Sequence, residues 1–445
     1  MTSVTERLPA AVVVGAGPGG FGLLFAARQA GLLDELRAAG IRILERGRVV
    51  GAGAIGQYDI RSDSHADSFL KAIDQDVVPD LRHLLGRSSG SAVHSRRGDA
   101  VELNLIGELL TEAATELHEQ LKGSGWDPVI PDAEALHAKR RRDGAWTTSC
   151  RIEGRELQLS SRTLVLATGA HQPIDRLYRE RIAGLPLLPG FADKTIQSGD
   201  LIGLEGRAKW AQHIAHRDRP KIVIVGGSHS ALASACWCLY RSGCERFGRH
   251  AVTLLHRGSL RLTYPSAEAA RADGYTGFDE EDICLRSGRV FPLAGFRSDS
   301  RDLLRRHWGM GGLSSDDRLC VRRLAEHADT AAMRLLEEAD LVIAALGYRP
   351  RALPLRDETN TRVPLLADAD RGPLVDGFSR VLDGDARPIE GVFGIGLSSG
   401  YPLAGVHGER SFAGEANGLA LWQSDIGIQI VRQILALSTT ARHVG

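Results

Sequence analysis

The sequence has no excess of charge of either sign. Its 445 residues include 55 basic and 55 acidic side chains, so the formal net charge is zero. Without a net positive field, the chain has no general attraction for nucleic acid or for an anionic membrane surface. Aromatic residues make up only 5% of the chain, whereas 43% of its residues are apolar. A chain of this length and composition predicts a globular protein with more than one domain.

Redox and metal-binding cysteine motifs are also missing. The six cysteines form no C-x-x-C motif, so neither a disulfide framework nor a metal site is predicted, and a reducing cytoplasm is expected. The N-terminus carries Glu6 and has no cleavable apolar run, so no signal peptide is predicted. The charge-free stretch of residues 8–27 is long enough for a membrane helix, but it contains Pro18 and several glycines. This pattern favours a strand, a turn and a helix, and no membrane partner is expected.

A glycine-rich turn follows the first β-branched run. Gly15, Gly17 and Gly20 have the G-x-G-x-x-G spacing, with a strand pattern before them and a helix pattern after them. Such a turn lets the backbone approach a diphosphate, which then lies at the helix N-terminus. The next predicted strand, residues 41–44, ends in Glu45, whose carboxylate can accept hydrogen bonds from ribose hydroxyls. This first unit is predicted to bind the adenosine diphosphate part of FAD.

The same pattern returns in the middle of the chain. A β-branched run leads into Gly226, Gly227 and Ser228, then a helix pattern, and then a second strand that ends in Arg257. A guanidinium at this strand end can bind a 2′-phosphate, which a carboxylate such as Glu45 would repel. The second unit is therefore predicted to bind NADPH. A solvated strand-end arginine is the alternative interpretation of Arg257.

Two short apolar runs that end in glycine are predicted to carry the chain between the units. The first is residues 163–169 and the second is residues 340–350. A last strand near residue 392 is predicted to return to the first unit and to offer backbone amides to the flavin. The cofactor-binding residues that these segments add are Thr168, Gly169, Gly347 and Gly396.

Together, these motifs resemble the flavoprotein monooxygenases with two dinucleotide-binding domains (class B type). The N-hydroxylating branch, which acts on ornithine, lysine and related amines, is the closest. Residues 67–71 resemble its S-F-L-K segment, residues 226–231 its G-G-G-Q-S-A segment, and His407-Gly408 its H-G pair. The M-Q that precedes S-F-L-K in the family is replaced by His65-Ala66, and no counterpart of its N-x-x-F segment follows Arg257.

Other branches of the superfamily match less well. Disulfide reductases carry redox cysteine pairs, which this chain lacks. Baeyer–Villiger enzymes carry an F-x-G-x-x-x-H fingerprint, and here Phe191 is present but Gln197 stands where the histidine is expected. The resemblance therefore implies an FAD-dependent, NADPH-consuming monooxygenase that oxidises a small organic substrate with O2 through a C4a-hydroperoxyflavin, with N-hydroxylation of an amine in specialised metabolism as the favoured reaction.

The resemblance also points to candidate catalytic residues. The segment of residues 55–65 follows the ribose carboxylate and is expected to pass the flavin as a loop, with Gln57, Ser64 and His65 as candidates for flavin or substrate contact. His407 is a candidate on the C-terminal side. A polar surface loop with a helix starting near His65 is the alternative for the first three. A packed or solvated histidine is the alternative for His407.

The predicted fold class is α/β, with two Rossmann-like domains and the NADP domain inserted into the FAD domain. We expect residues 1–216 and 351–445 to form the FAD domain and residues 217–350 to form the NADPH domain. An oxidoreductase that passes electrons to a quinone or a protein, a flavin-dependent halogenase and a non-catalytic flavin-binding protein remain alternatives. The sequence does not identify the substrate or the oligomeric state. It is compatible with a homo-oligomer.

Overall fold

The structure is a computed structural model that describes residues 8–369, 372–397, 399–403, 408–412 and 418–440. The described strands are β1 Ala11–Val14, β2 Ile41–Leu44, β3 Arg61–His65, β4 Ala100–Glu102, β5 Val129–Ile130, β6 Ala133–Arg140, β7 Trp146–Ile152, β8 Arg155–Ser161, β9 Thr163–Leu166, β10 Ala170–His171, β11 Arg181–Ile182, β12 Leu185–Pro186, β13 Thr195–Gln197, β14 Ile222–Val225, β15 Val252–His256, β16 Leu319–Arg323, β17 Leu341–Ala344, β18 Arg349–Pro350, β19 Leu355–Arg356, β20 Arg362–Val363, β21 Arg380–Leu382 and β22 Pro388–Gly394.

The described helices alternate with these strands through most of the chain. They are α1 Gly22–Gln29, α2 Leu33–Ala39, α3 Ala66–Leu70, α4 Ser88–His94, α5 Leu103–Gly123, α6 Asp175–Arg179, α7 Ser198–Ile202, α8 Gly206–Ile214, α9 His229–Tyr240, α10 Ala267–Ala272, α11 Ser298–Trp308, α12 Thr330–Glu338, α13 Leu419–Trp422 and α14 Asp425–Thr440. No helix within the described ranges is both long enough and apolar enough to cross a bilayer.

The first unit is built on a six-stranded sheet in the order β21-β22-β9-β1-β2-β5. Strand β1 lies at its centre and runs parallel to both β2 and β9, with all four of its residues buried. Continuous apolar runs are what a parallel strand covered on both faces requires. Strand β22, from the last part of the chain, pairs in parallel with β9 and completes the unit.

The second unit is built on a five-stranded parallel sheet in the order β13-β17-β14-β15-β16. Its edge strand β13 precedes residue 217, and α7 and α8, which also precede it, contribute to the same hydrophobic core as α9. The boundary predicted at residue 217 therefore falls inside this unit rather than at its start. The sequence pattern does not reveal β13, because its three residues are only half-buried and form no apolar run.

Four further sheets are β20-β19-β6-β7-β8, β10-β18, β11-β12 and β3-β4. Strands β6, β7 and β8 form a meander that β19 and β20 extend, and it packs through its own hydrophobic cluster against the first sheet. The two chain crossings between the units, β10 and β18, pair with each other, so that Ala170 lies opposite Pro350 and His171 opposite Arg349. The predicted insertion of one unit into the other therefore agrees with the paths of the two crossings.

Candidate active site

The first glycine turn joins β1 to α1 and has the backbone that the motif requires. Gly15 has a φ of +102°, and a Cβ atom there would stand 2.5 Å from the carbonyl oxygen of Ala167. The Glu45 carboxylate at the end of β2 accepts hydrogen bonds from the backbone N–H groups of Ala16 (2.8 Å) and Gly47 (2.9 Å). A carboxylate is thus fixed beside the turn, where an adenosine ribose would need its acceptor. These residues fit the diphosphate and ribose of FAD.

The remaining candidates for FAD binding surround this turn. A Cβ atom on Gly20 would collide with the carbonyl oxygen of Gly15, so helix and strand pack too closely for any side chain. The end of β22 reaches the same place, because a Cβ atom on Gly19 would stand 3.1 Å from the Cα of Gly396. Gly17 has more space, since a Cβ atom there would stand 3.4 Å from the Cα of Gly53. Three separate parts of the chain therefore meet at the turn.

The second glycine turn joins β14 to α9 with the same geometry. Gly226 has a φ of +136°, and a Cβ atom there would collide with the carbonyl oxygen of Ala345. Ser228 is the N-cap residue of α9, but its hydroxyl makes no capping hydrogen bond. Its oxygen is buried and has no hydrogen-bond partner among the described residues. An unpartnered hydroxyl at a helix N-terminus fits the diphosphate of a nicotinamide coenzyme, for which Gly227 leaves room.

Arg257 lies just past the end of β15 and is exposed. Its guanidinium donates a hydrogen bond to the carbonyl oxygen of Arg181, and its own carbonyl oxygen accepts one from Nε of Arg323 (3.1 Å). Arg323 ends the neighbouring strand β16, directly opposite His256. Two arginines therefore stand at the carboxyl edge of this sheet, although the sequence pattern singles out only Arg257.

The two crossings also carry predicted residues. Gly169 and Gly347 both have positive φ, at +72° and +94°. The Thr168 hydroxyl donates a hydrogen bond to the carbonyl oxygen of Arg351, which ties the outgoing crossing to the returning one. A Cβ atom on Gly347 would stand 3.1 Å from a guanidinium nitrogen of Arg176. These residues hold the two crossings together; whether they also contact a cofactor remains a prediction.

The candidate catalytic residues lie on and before β3. Gln57 is exposed on a short 3-10 helix, and Ser64 and His65 are half-buried at the end of β3. The sequence predicts a loop here, but residues 61–65 form a strand that pairs with β4, a pairing that its polar sequence does not reveal. The helix expected near His65 is α3, and it begins at Ala66. His407 lies outside the described residues.

The place where β3 of the first unit approaches the N-terminus of α9, which we call the cleft, brings together side chains that no single sequence motif specifies. Asp63, on β3 of the first unit, lies 3.8 Å from Nε2 of His229, the first residue of α9 in the second unit. Both side chains are partly exposed, at 34% and 40%. Burial nevertheless raises the pKa of the Asp63 carboxyl above its usual range, while the positive charges of His229 and Arg297 act in the opposite direction.

Ion pairs join the two units beside this cleft. Arg241, at the end of α9, contacts Glu102 (2.8 Å) and Asp59 (3.3 Å), both of the first unit. Arg61 on β3 forms a further pair with Asp299 on α11 at 2.8 Å. These contacts fix β3 against α9 and α11, and they place the end of β3 near the N-terminus of α9.

The two cysteines of α9 provide neither a thiolate nor a redox pair to this site. Cys236 and Cys238 are buried in α9, where burial raises the pKa of each thiol well above its usual range. Such thiols stay protonated at neutral pH and pack as small apolar side chains. All six cysteines are free.

Known proteins resemble this chain over nearly its whole length. A family model described as pyridine nucleotide-disulphide oxidoreductase matches residues 9–276. The CMP-5′-(3-aminopropyl)phosphonate hydroxylase of Streptomyces rubellomurinus is 30% identical over 447 aligned residues, which cover 97% of this chain and 98% of that protein.

Solved structures of low sequence identity share the fold. The ornithine N-hydroxylase of Kutzneria sp. 744, in complex with reduced FAD, NADP+ and L-ornithine, has a TM-score of 0.55 at 16% identity, covering 96% of this chain and 99% of that one. The L-lysine 6-monooxygenase of Pseudomonas syringae has a TM-score of 0.55 at 17% identity and the same coverage. The cadaverine monooxygenase of Erwinia amylovora, bound to FAD, has a TM-score of 0.57 at 11% identity, covering 96% and 95% of the two chains.

These findings confirm the predicted α/β fold, and they agree with the predicted monooxygenase class and the predicted use of FAD and NADPH. The family name refers to disulfide chemistry, for which this chain has no cysteine pair. The family model matches more than half of the chain, and the relative aligns with almost all of it. The chain therefore belongs to the pyridine nucleotide-disulphide oxidoreductase family.

Proposed function

We propose that this enzyme adds one oxygen atom from O2 to the nitrogen of a primary amine in specialised metabolism, with NADPH as the reductant. The observation that carries the proposal is the full-length relative, whose name specifies an aminopropyl compound as the molecule that it hydroxylates. The shared fold with ornithine, lysine and cadaverine monooxygenases supports it. An acidic amine, such as an aminoalkyl phosphonate or its nucleotide ester, is the substrate class that we propose.

In this proposal the two glycine turns hold the two cofactors. The first turn and Glu45 bind the adenosine diphosphate part of FAD, whereas Gly226, Ser228 and Arg257 bind that of NADPH. FAD held by the first turn would supply the redox chemistry that links NADPH to O2. The protein itself would hold the amine in the cleft and exclude water from it. The ion pairs of Arg241 and Arg61 would hold the two units in a fixed relative position.

This proposal includes the three catalytic candidates on and before β3. Ser64 and His65 stand at the end of β3, on the first unit's side of the cleft, and Gln57 precedes the same strand. We propose that they contact the flavin or the amine from that side. The six free cysteines are consistent with the reducing cytoplasm that the sequence predicts.

The test is an oxygenation assay under 18O2. Purified FAD-loaded protein is given NADPH and either 3-aminopropylphosphonate or its CMP ester, and the products are analysed by mass spectrometry. We expect the amine to accelerate NADPH oxidation and the product to carry one labelled oxygen on nitrogen. Rapid NADPH oxidation with a quinone, with no labelled amine and no effect of the amine, would instead support the electron-transfer alternative.

A further inference from the structure

One loop of the second unit, residues 291–298, is held in a strained conformation. Phe291 and Ser298, its first and last residues, have φ values of +43° and +46°, in the left-handed region that bulky residues avoid. Phe291 is also fully buried. Such backbone strain persists only where the surroundings enforce it, and it often accompanies a functional site.

The surroundings of this loop do enforce it. Glu409, from the C-terminal part of the chain, is fully buried, and its carboxylate accepts hydrogen bonds from the N–H groups of Leu293 (2.9 Å) and Ala294 (2.8 Å). The Thr263 hydroxyl lies 2.7 Å from the carbonyl oxygen of Phe291 and 3.0 Å from that of Gly295. A buried carboxylate that binds two backbone amides is an unusual way to fix a loop, and it indicates that the loop's conformation matters.

The loop places Arg297 at the cleft. The ring of Phe296, its neighbour, lies with its centroid 4.9 Å from that of His229 at the start of α9. The Arg297 guanidinium donates to the carbonyl oxygen of Pro292, which orients it. Among the described residues, no carboxylate lies within 4.0 Å of Arg297, although Asp63 and Glu409 are near enough to raise its pKa against the lowering effect of burial. Most of its five N–H donors therefore have no partner among the residues that the structure describes, and we assign them to a ligand.

We propose that Arg297 binds the phosphonate oxyanion of the amine substrate, and so determines that the enzyme accepts acidic rather than neutral amines. This inference rests on the proposed function. A guanidinium offers a planar fork to an oxyanion, and a charge-assisted pair in a partly desolvated cleft is strong and geometrically selective. Asp63, on β3 of the first unit, is the carboxylate that we assign to the ammonium end of the same molecule.

The experiment compares acidic with neutral amines on the FAD-loaded enzyme in the presence of NADP+. Affinities for 3-aminopropylphosphonate, its CMP ester and n-propylamine are measured by isothermal titration calorimetry for the wild type, Arg297→Gln and Arg297→Lys. We expect Arg297→Gln to weaken binding of the phosphonates by roughly ten- to hundredfold, as for the loss of a charge-assisted hydrogen bond, and to leave n-propylamine unchanged. Arg297→Lys keeps the charge without the fork and should show an intermediate loss.

Arg301→Gln is the matched control. Arg301 lies on α11 one turn further on, with its guanidinium carbon 5.8 Å from the centroid of the Tyr264 ring, and its loss should change none of the affinities. Flavin absorbance and the melting temperature establish that each variant is folded. If Arg297→Gln does not fold, the phosphonate-specific loss in Arg297→Lys decides the matter.

Three results would overturn the assignment. Equal weakening of all amines would mean that Arg297 shapes the cleft without selecting the anion. A loss of NADP+ affinity with unchanged discrimination between amines would place Arg297 at the coenzyme instead. Unchanged phosphonate binding would show that Arg297 is not part of the site, and would leave the proposed function intact. A wild-type enzyme that neither binds nor oxygenates any of the amines would overturn the proposed function itself.

Discussion

The two dinucleotide-binding units share one backbone but differ in the charge at one strand end. Both turns begin with a glycine at positive φ that packs against a carbonyl oxygen, that of Ala167 in the first unit and that of Ala345 in the second. In the first, the strand-end carboxylate of Glu45 is turned inward and bound to amides of the turn. In the second, Arg257 is exposed, and Arg323 stands beside it. We therefore propose that the shared turn binds the diphosphate in both units, and that the residue at the strand end selects the nucleotide.

The largest effect is expected when a side chain is placed in either turn. In Gly17→Val the new Cβ has ordinary contact distance to Gly53, so the fold should tolerate it, but its methyl groups fill the space needed for the close approach of the diphosphate. FAD occupancy of the purified protein should fall below about a tenth of the wild-type value. Gly227→Val places a side chain in the second turn, one residue after its positive-φ glycine, and should keep its FAD while the KM for NADPH rises.

Flavin absorbance of the purified proteins and steady-state kinetics check this pair. Full FAD occupancy in a folded Gly17→Val protein would show that the first turn is not the FAD site. Loss of FAD from Gly227→Val with retention in Gly17→Val would mean that the two units are assigned in reverse.

A smaller effect is expected from the strand-end arginine. Removal of the guanidinium in Arg257→Ala should raise the KM for NADPH with little change for NADH, because only NADPH carries the 2′-phosphate. A charge-assisted bond contributes on the order of 1.5–3 kcal/mol, so the preference for NADPH should fall roughly ten- to hundredfold. FAD content should not change, since Glu45 is in the other unit.

Arg48→Ala provides the control for Arg257→Ala. Arg48 follows the corresponding strand of the first unit and is exposed, with Asp132 as its ion-pair partner at 2.9 Å. Its removal should alter neither coenzyme preference nor FAD content, as expected for an exposed pair. If both variants leave the ratio of NADPH to NADH kinetics unchanged, the coenzyme preference does not depend on Arg257.

The smallest effect is expected from the thiols of the second unit. Cys236→Ala and Cys238→Ala, made separately, should leave kcat for NADPH oxidation within about twofold of the wild-type value, because neither thiol is ionised at neutral pH and neither is needed as a nucleophile. Melting temperatures will report the small loss of packing in α9. If either variant folds but no longer oxidises NADPH, the reaction requires a thiol and the disulfide-reductase interpretation is supported instead.

The parts of this molecule that could be predicted from sequence are those that a local pattern determines. A strand, a glycine turn and a helix occupy about twenty consecutive residues in each unit, so their order identifies both cofactor units before any packing is known. The fold class followed from finding that order twice, with Glu45 after the first turn and Arg257 after the second.

The cleft could not be predicted in the same way, because tertiary packing alone assembles it. Asp63, His229 and Arg297 come from three distant segments, and none of them stands in a motif that specifies the other two. Signals were present but weak: a histidine inside the second glycine motif and an arginine directly after an F-P-L-A-G-F run. Strand β13 was missed for a related reason, since its place in the sheet depends on pairing with β17.

The buried Glu409 has a consequence for exchanging parts between relatives. This residue belongs to the C-terminal segment, but its carboxylate accepts hydrogen bonds from two amides of the inserted unit. If the insert were cut out at its two crossings, the Glu409 carboxylate would lose both donors. If the insert were moved to another protein, its two backbone N–H groups would lose their acceptor. A chimaera that exchanges residues 172–350 between two such enzymes would have to take the acidic residue of the donor's last segment with it. The middle of the chain therefore depends on the C-terminal segment, even though it has a complete sheet of its own.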